Sequence, residues 1–195
     1  MTKNTLLNTA ILVSRLLKII LIIATIGLTG LFVYTQIDKE TYADKEIVLS
    51  ANPSYMGYST IVSTVWKGDT EDAKYDLKPY TFGKLKTVSF YINYFKGLII
   101  AVLMFLIIRD FERIMSSVKT LNTFSRSNVK LFRHIGIYVV FVTILTSYTI
   151  LRFENGDQTI SHISLTPVIY MLLAFIMAEI FKEGESLREE NDLTI

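Results

Sequence analysis

Four apolar stretches organise the chain. Residues 19–37 run for 19 positions without a charge, entered from Arg15 and Lys18. Residues 97–108 are uncharged, and the apolar character extends back through Val88 if Lys96 is tolerated. Residues 134–151 lie between Arg133 and Arg152, and residues 158–178 carry no charge until Glu179. A hydrocarbon core about 30 Å thick takes roughly 20 helical residues. The pattern predicts four membrane helices, about 16–37, 88–108, 134–151 and 160–179. The first is expected to stay as a signal anchor. Its run exceeds the roughly 7–15 residues of a cleavable signal core, and no A-x-A site follows. Pro167, early in the fourth, is expected to kink it.

Between the first two helices lies a 50-residue insertion, 38–87, too long for a simple connection. It holds the β-like runs "EIVLSA", "YSTIVSTVW" and "YDLKPYTF", with turn chemistry in "ANPSYMG" and "KGDTEDAK". Two or three short strands are expected to cap the outer helix ends. So small a sheet needs the helices for stability. A structural cap and a ligand- or peptide-sensing surface both remain open readings, and Trp66 suits either. The expected fold class is an all-α membrane protein: four transmembrane helices and a small extracytoplasmic β element between helices 1 and 2. Residues 1–195 then form one membrane domain.

Charge sets the orientation. Lys3, Arg15 and Lys18 precede the first helix, and residues 109–133 hold six bases against two acids, a balance of +4. Both belong on the cytoplasmic side, which puts the two termini there and 38–87 outside. "RDFERIMSSVKTL" continues the second helix inward, "NTFS" breaks it, and Ser125 caps a new helix over "RSNVKLFRHIG". This basic helix pair faces anionic lipid headgroups, worth about 1 kcal/mol per base. The tail, 179–195, holds six acids against two bases, a balance of −4. Ile180, Phe181, Gly184 and Leu187 recur at helical spacing, so an amphipathic helix should continue from the fourth span and end near Asn191-Asp192. The expected docking set is Arg126, Lys130 and Arg133 with Glu183, Glu185, Leu187, Glu189, Glu190, Asp192, Leu193 and Ile195. A cytosolic partner is expected to share that surface.

Composition narrows the chemistry. The chain is 51% hydrophobic, with a mean hydropathy of +0.40. Twenty bases against 18 acids is too even for nucleic acid as a direct ligand. There is no cysteine, which removes disulfides, thiolate metal sites and cysteine nucleophiles. His134 and His162 are expected at opposite ends of their helices, too far apart to share a metal or a haem. No cofactor is expected. No zinc-protease, serine-elbow or phosphate-loop pattern occurs, so no enzyme activity is expected either.

Lys96 stands out as a charge well inside the second span, a placement that costs roughly 2.5–3.5 kcal/mol on insertion scales. It either snorkels outward or bonds hydroxyls and carbonyls near Tyr91, Tyr148 or Tyr170. Asn93 and Tyr94 are expected to line the same polar spot. Glu179, at the inner interface, is expected to pair with Arg109, Arg113 or Arg133.

The stretches "FSRSNVKLFRHIGI" at 124–137 and "EIFKEGESLREENDLTI" at 179–195, with one span, an outer insertion and three further spans, carry a resemblance. The chain resembles the bacterial four-span membrane family catalogued as domain of unknown function 2975. That resemblance implies a cell-membrane protein with no established activity, of a kind often encoded beside small helix-turn-helix regulators. The leading expectation is a regulatory membrane partner of such a cytosolic transcription factor. The alternative is a small oligomeric transporter or immunity protein built around Lys96. The lipid bilayer and further copies of the chain complete the expected partners.

Overall fold

The computed structural model describes residues 3–47, 58–66, 80–154 and 156–193. In chain order these form α1 Lys3–Ile37, α2 Glu40–Ala43, β1 Tyr58–Trp66, α3 Thr87–Lys119, α4 Arg126–Ser147, β2 Tyr148–Arg152, β3 Gly156–Ser164 and α5 Thr166–Leu193. A 3₁₀ turn at Phe82–Lys84 precedes α3. Two compact units result. The first takes Met1–Ala24, Ile100–Thr143 and Thr166–Ile195; the second takes Thr25–Ile99 and Ile144–Leu165.

Among the described residues three helices, α1, α3 and α4, are long and apolar enough to cross a bilayer. Their large side chains face outward: Ile26 is 67% exposed in α1, Ile92 61% in α3 and Ile144 63% in α4. A contiguous surface of this kind is far larger than soluble monomers carry, and lipid is the solvent that suits it. The protein is membrane-embedded.

The last two predicted spans differ from the structure in their bounds, and α5 is not among the three helices above. The segment 134–151 is helical only to Ser147, and 148–151 belong to β2. Of 160–179, residues 160–164 lie in β3 and helix begins at Thr166. Hydropathy sums miss this because they ignore period. "YTILR" and "DQTISHIS" carry β-branched residues and are joined by the four residues "FENG", a short Gly-containing connection that signals a hairpin. Pro167 falls in the first turn of α5, where the missing N–H has no helical partner to lose. The expected kink therefore has no cause.

The β element is a three-stranded antiparallel sheet, ordered β1-β3-β2. It joins the insertion to the hairpin between α4 and α5, not to the insertion alone. Thr60 pairs with His162 across β1 and β3, and Tyr148 with Ser161 across β2 and β3. β1 coincides with "YSTIVSTVW". The two other β-like runs lie mostly outside the described residues, as do both turn segments. Their described ends pair: Glu46 bridges Thr81, with Ile47 N donating to Tyr80 O at 2.8 Å and Phe82 N to Lys45 O at 2.9 Å.

Candidate functional site

In the first unit, α3, α4 and α5 meet at a turn over 120–125. Ser125 opens α4: its Oγ accepts from Asn128 N at 3.4 Å, as an N-cap hydroxyl does. Asn128 is buried and locks the turn. Its Nδ2 donates to Ser117 Oγ at 3.0 Å, Asn122 O at 3.2 Å and Thr123 O at 2.7 Å. Leu121 takes φ 62° within it, a cost for a side chain with a Cβ that these bonds offset. α5 lies against this junction through aromatic rings. Phe181 meets Phe124 at 5.5 Å and Phe132 at 4.9 Å between centroids, over a small core with Val129 and Ala178.

Glycines permit the approach. A Cβ on Gly136 of α4 would stand 2.9 Å from Phe175 Cζ, and one on Gly184 would stand 2.8 Å from Phe124 Cγ. Only the absence of a side chain lets these helices come so close. Beside Gly184 opens a trough of about 650 Å³ lined by Phe124, Ile176, Ile180 and Leu187, with Glu179 and Glu183 on its margin.

Among the described residues, charge joins the basic pair to the tail at Glu179. Arg133 Nη2 donates to Glu179 Oε1 at 2.6 Å, and Lys182 adds a longer contact at 3.4 Å. The Arg133 guanidinium, then the Lys182 ammonium, hold the Glu179 carboxyl below the usual carboxylate range. Arg188 donates to Asn122 Oδ1 at 3.3 Å. Among the described residues, Arg126 and Lys130 make no ion pair with Glu183, Glu185 or Glu189. α5 runs on through Leu193, slightly beyond the end expected near Asn191-Asp192. The side chains of Asp192 and Leu193, and all of Ile195, lie outside the described residues.

Two further ionic clusters occupy this unit. Glu112 of α3 accepts from Arg15 Nε at 2.9 Å and pairs with Lys18, tying α1 to α3. Asp110 is fully buried, with Arg109 Nη2 at 2.9 Å from Oδ1 and His134 Nδ1 at 3.8 Å from Oδ2. Asp110 stands among charged neighbours in "RDFER". Nothing local marks it as buried.

In the second unit, one face of α3 caps an exposed sheet edge. β2 is an edge strand, and its outward groups need partners. Ser89, Asn93 and Lys96 recur at i, i+4 and i+7 along α3 and supply them. Ser89 Oγ accepts from Arg152 N at 3.0 Å. Asn93 Nδ2 donates to Ile150 O at 3.0 Å. Lys96 Nζ donates to Tyr148 O at 3.0 Å and Thr149 Oγ1 at 2.7 Å. Tyr94 departs from the expected cluster. Its hydroxyl donates to Thr29 Oγ1 at 3.1 Å and its ring stacks on Phe32 at 3.8 Å, on the side facing α1.

A family model described as "Protein of unknown function (DUF2975)" matches residues 50–195. The chain belongs to the DUF2975 family. No curated protein and no solved structure matches it. In this DUF2975 protein the match takes in the sheet, α3, α4, the Asn128 turn and α5. His134 lies beside Asp110 in the first unit, and His162 lies on β3 in the second, with Nδ1 3.0 Å from Thr60 Oγ1. Among the described residues no cluster of His, Asp and Glu could hold a metal.

Proposed function

We propose that the protein is a non-enzymatic, multi-pass bacterial cell-membrane protein that holds a cytosolic helix-turn-helix regulator against its inner surface. Both termini face the cytoplasm, and residues 109–133 with 179–195 form that surface. α5 makes the fourth crossing. Its apolar part, 166–178, covers about 20 Å at 1.5 Å per residue, short of the roughly 30 Å core, a mismatch that local thinning of the bilayer accommodates. The observation that supports partner binding is the trough between Phe124 and α5. Its floor is apolar, with Ile180 51% and Leu187 65% exposed, and its margin is acidic. A basic amphipathic helix suits that combination.

The reading requires that a small DNA-binding protein be encoded beside this chain, and the test is pull-down of the solubilised full-length chain with that protein. Deleting 183–195, or changing Leu187→Asp, should abolish association. Undiminished co-purification of the deleted form sinks the proposal. The transporter or immunity reading is supported by the cavity beside Lys96. It requires that Lys96→Ala abolish flux or toxin resistance while no regulator binds.

A further inference from the structure

Beside the Lys96 clamp lies a cavity of about 1000 Å³, walled by the start of α3, the 3₁₀ turn and β2. Lys39, Lys86, Lys96 and Arg152 line it, against Glu40 and Glu154. Four cations against two acids leave the lining at +2. Among the described residues none of the four cations is in an ion pair. A protonated lysine has three N–H groups, and the two bonds of Lys96 go to neutral acceptors. Its charge, set within a membrane helix, therefore has no anion.

Lys96 also lines a second, almost wholly apolar groove of about 590 Å³. That groove follows Val88, Ile92, Phe95 and Ile99 down α3, and these side chains are all more than half exposed. Their spacing places them in one stripe along the helix. A cationic chamber thus opens onto an apolar channel, with a single lysine at the junction. The occupant must be anionic at one end and a hydrocarbon chain at the other.

We propose that this is a binding site for an anionic phospholipid from the leaflet on the hairpin's side. The phosphate accepts from the remaining N–H of Lys96. The rest of the headgroup rises into the chamber towards Lys86 and Arg152. One acyl chain follows the Val88–Ile92–Phe95–Ile99 stripe. A zwitterionic lipid brings no net charge to balance the lining, and a free phosphate leaves the apolar groove empty. The site does not depend on the cytosolic partner, so either proposal can fail alone.

The test uses the delipidated full-length protein in detergent and native mass spectrometry. Phosphatidylglycerol, phosphatidylcholine with the same chains and glycerol 1-phosphate are the three probes. Phosphatidylglycerol should bind tightest. Lys96→Gln keeps an amide donor for the strand edge but removes the charge, and should weaken phosphatidylglycerol binding about fivefold, the equivalent of about 1 kcal/mol per basic residue. Arg152→Gln, whose side chain takes no part in the clamp, should weaken it similarly and decides the matter if Lys96→Gln fails to fold. Equal binding of the two lipids, equal binding of glycerol 1-phosphate, or unchanged affinity in Arg152→Gln overturns the proposal.

Discussion

Gly184 and Phe124 are in such close contact that no other residue type fits at position 184 without moving the ring. Gly184 lies in α5, and Phe124 in the turn that Asn128 closes. A Cβ would run into one edge of the ring, nearest to Cδ1 and then 2.6 Å from Cε1 and 2.8 Å from Cγ. Gly184→Val should therefore displace Phe124 and open the turn, at the roughly 1–3 kcal/mol typical of overpacking. Limited proteolysis should show faster cleavage at 120–125, with helix content by circular dichroism unchanged. An unaltered cleavage rate would show that the contact is slack.

Asn128 is expected to matter more than its polar character suggests. It is 1% exposed and its amide serves three acceptors. Asn128→Leu takes this donor from Thr123 O and Ser117 Oγ, while Asn122 O keeps Ser117 Oγ at 2.7 Å, and the loss costs about 1–3 kcal/mol for a buried unsatisfied group. The melting temperature in detergent should fall. Asn128→Asp should fall too, because a carboxylate cannot donate.

The tail should be held by rings first and by charge second. Phe181→Ala removes an aromatic packed on two others, a change that typically costs about 3–5 kcal/mol. Arg126→Glu should leave tail protection from protease intact, and Arg133→Glu should weaken it modestly. The Glu179 carboxyl is held below its ordinary range in the folded chain. Its contribution is thus complete above that range and disappears as pH falls through the lowered value. Protection of the tail should decline on acidification, and Glu179→Gln should remove that dependence.

Ser89→Ala tests the edge clamp. Arg152 N loses its acceptor, so hydrogen exchange at 148–153 should accelerate while β1 and β3 keep their rates. Uniform acceleration across the sheet would mean that the strands, not α3, protect the edge.

Much of this was legible along the chain. α1 and α3 follow from uncharged length, because a bilayer fixes how many apolar residues a helix needs. The break at "NTFS" and the Ser125 cap follow from local hydrogen-bonding chemistry. The hairpin at 148–164 was legible only by period: its residues are apolar enough to pass for helix ends. Asp110 carried no local signal at all. Whether a carboxylate on a helix is solvated or enclosed depends on what packs beside it, and here that is Arg109 and His134.

The sequence by itself determined a membrane-embedded chain with a β-forming insertion, a basic helix pair and an acidic tail. Hydrophobic length and charge are sums over neighbours in the chain, and need no fold to be read. The tertiary structure alone decided which strands share a sheet, why Lys96 is tolerated in a membrane helix, and that the tail packs on Phe124 and Phe132 through Phe181. Those are pairings between segments far apart in sequence. They arise because a sheet edge leaves carbonyls that a polar helix face can satisfy, and because two glycines let helices approach to ring contact.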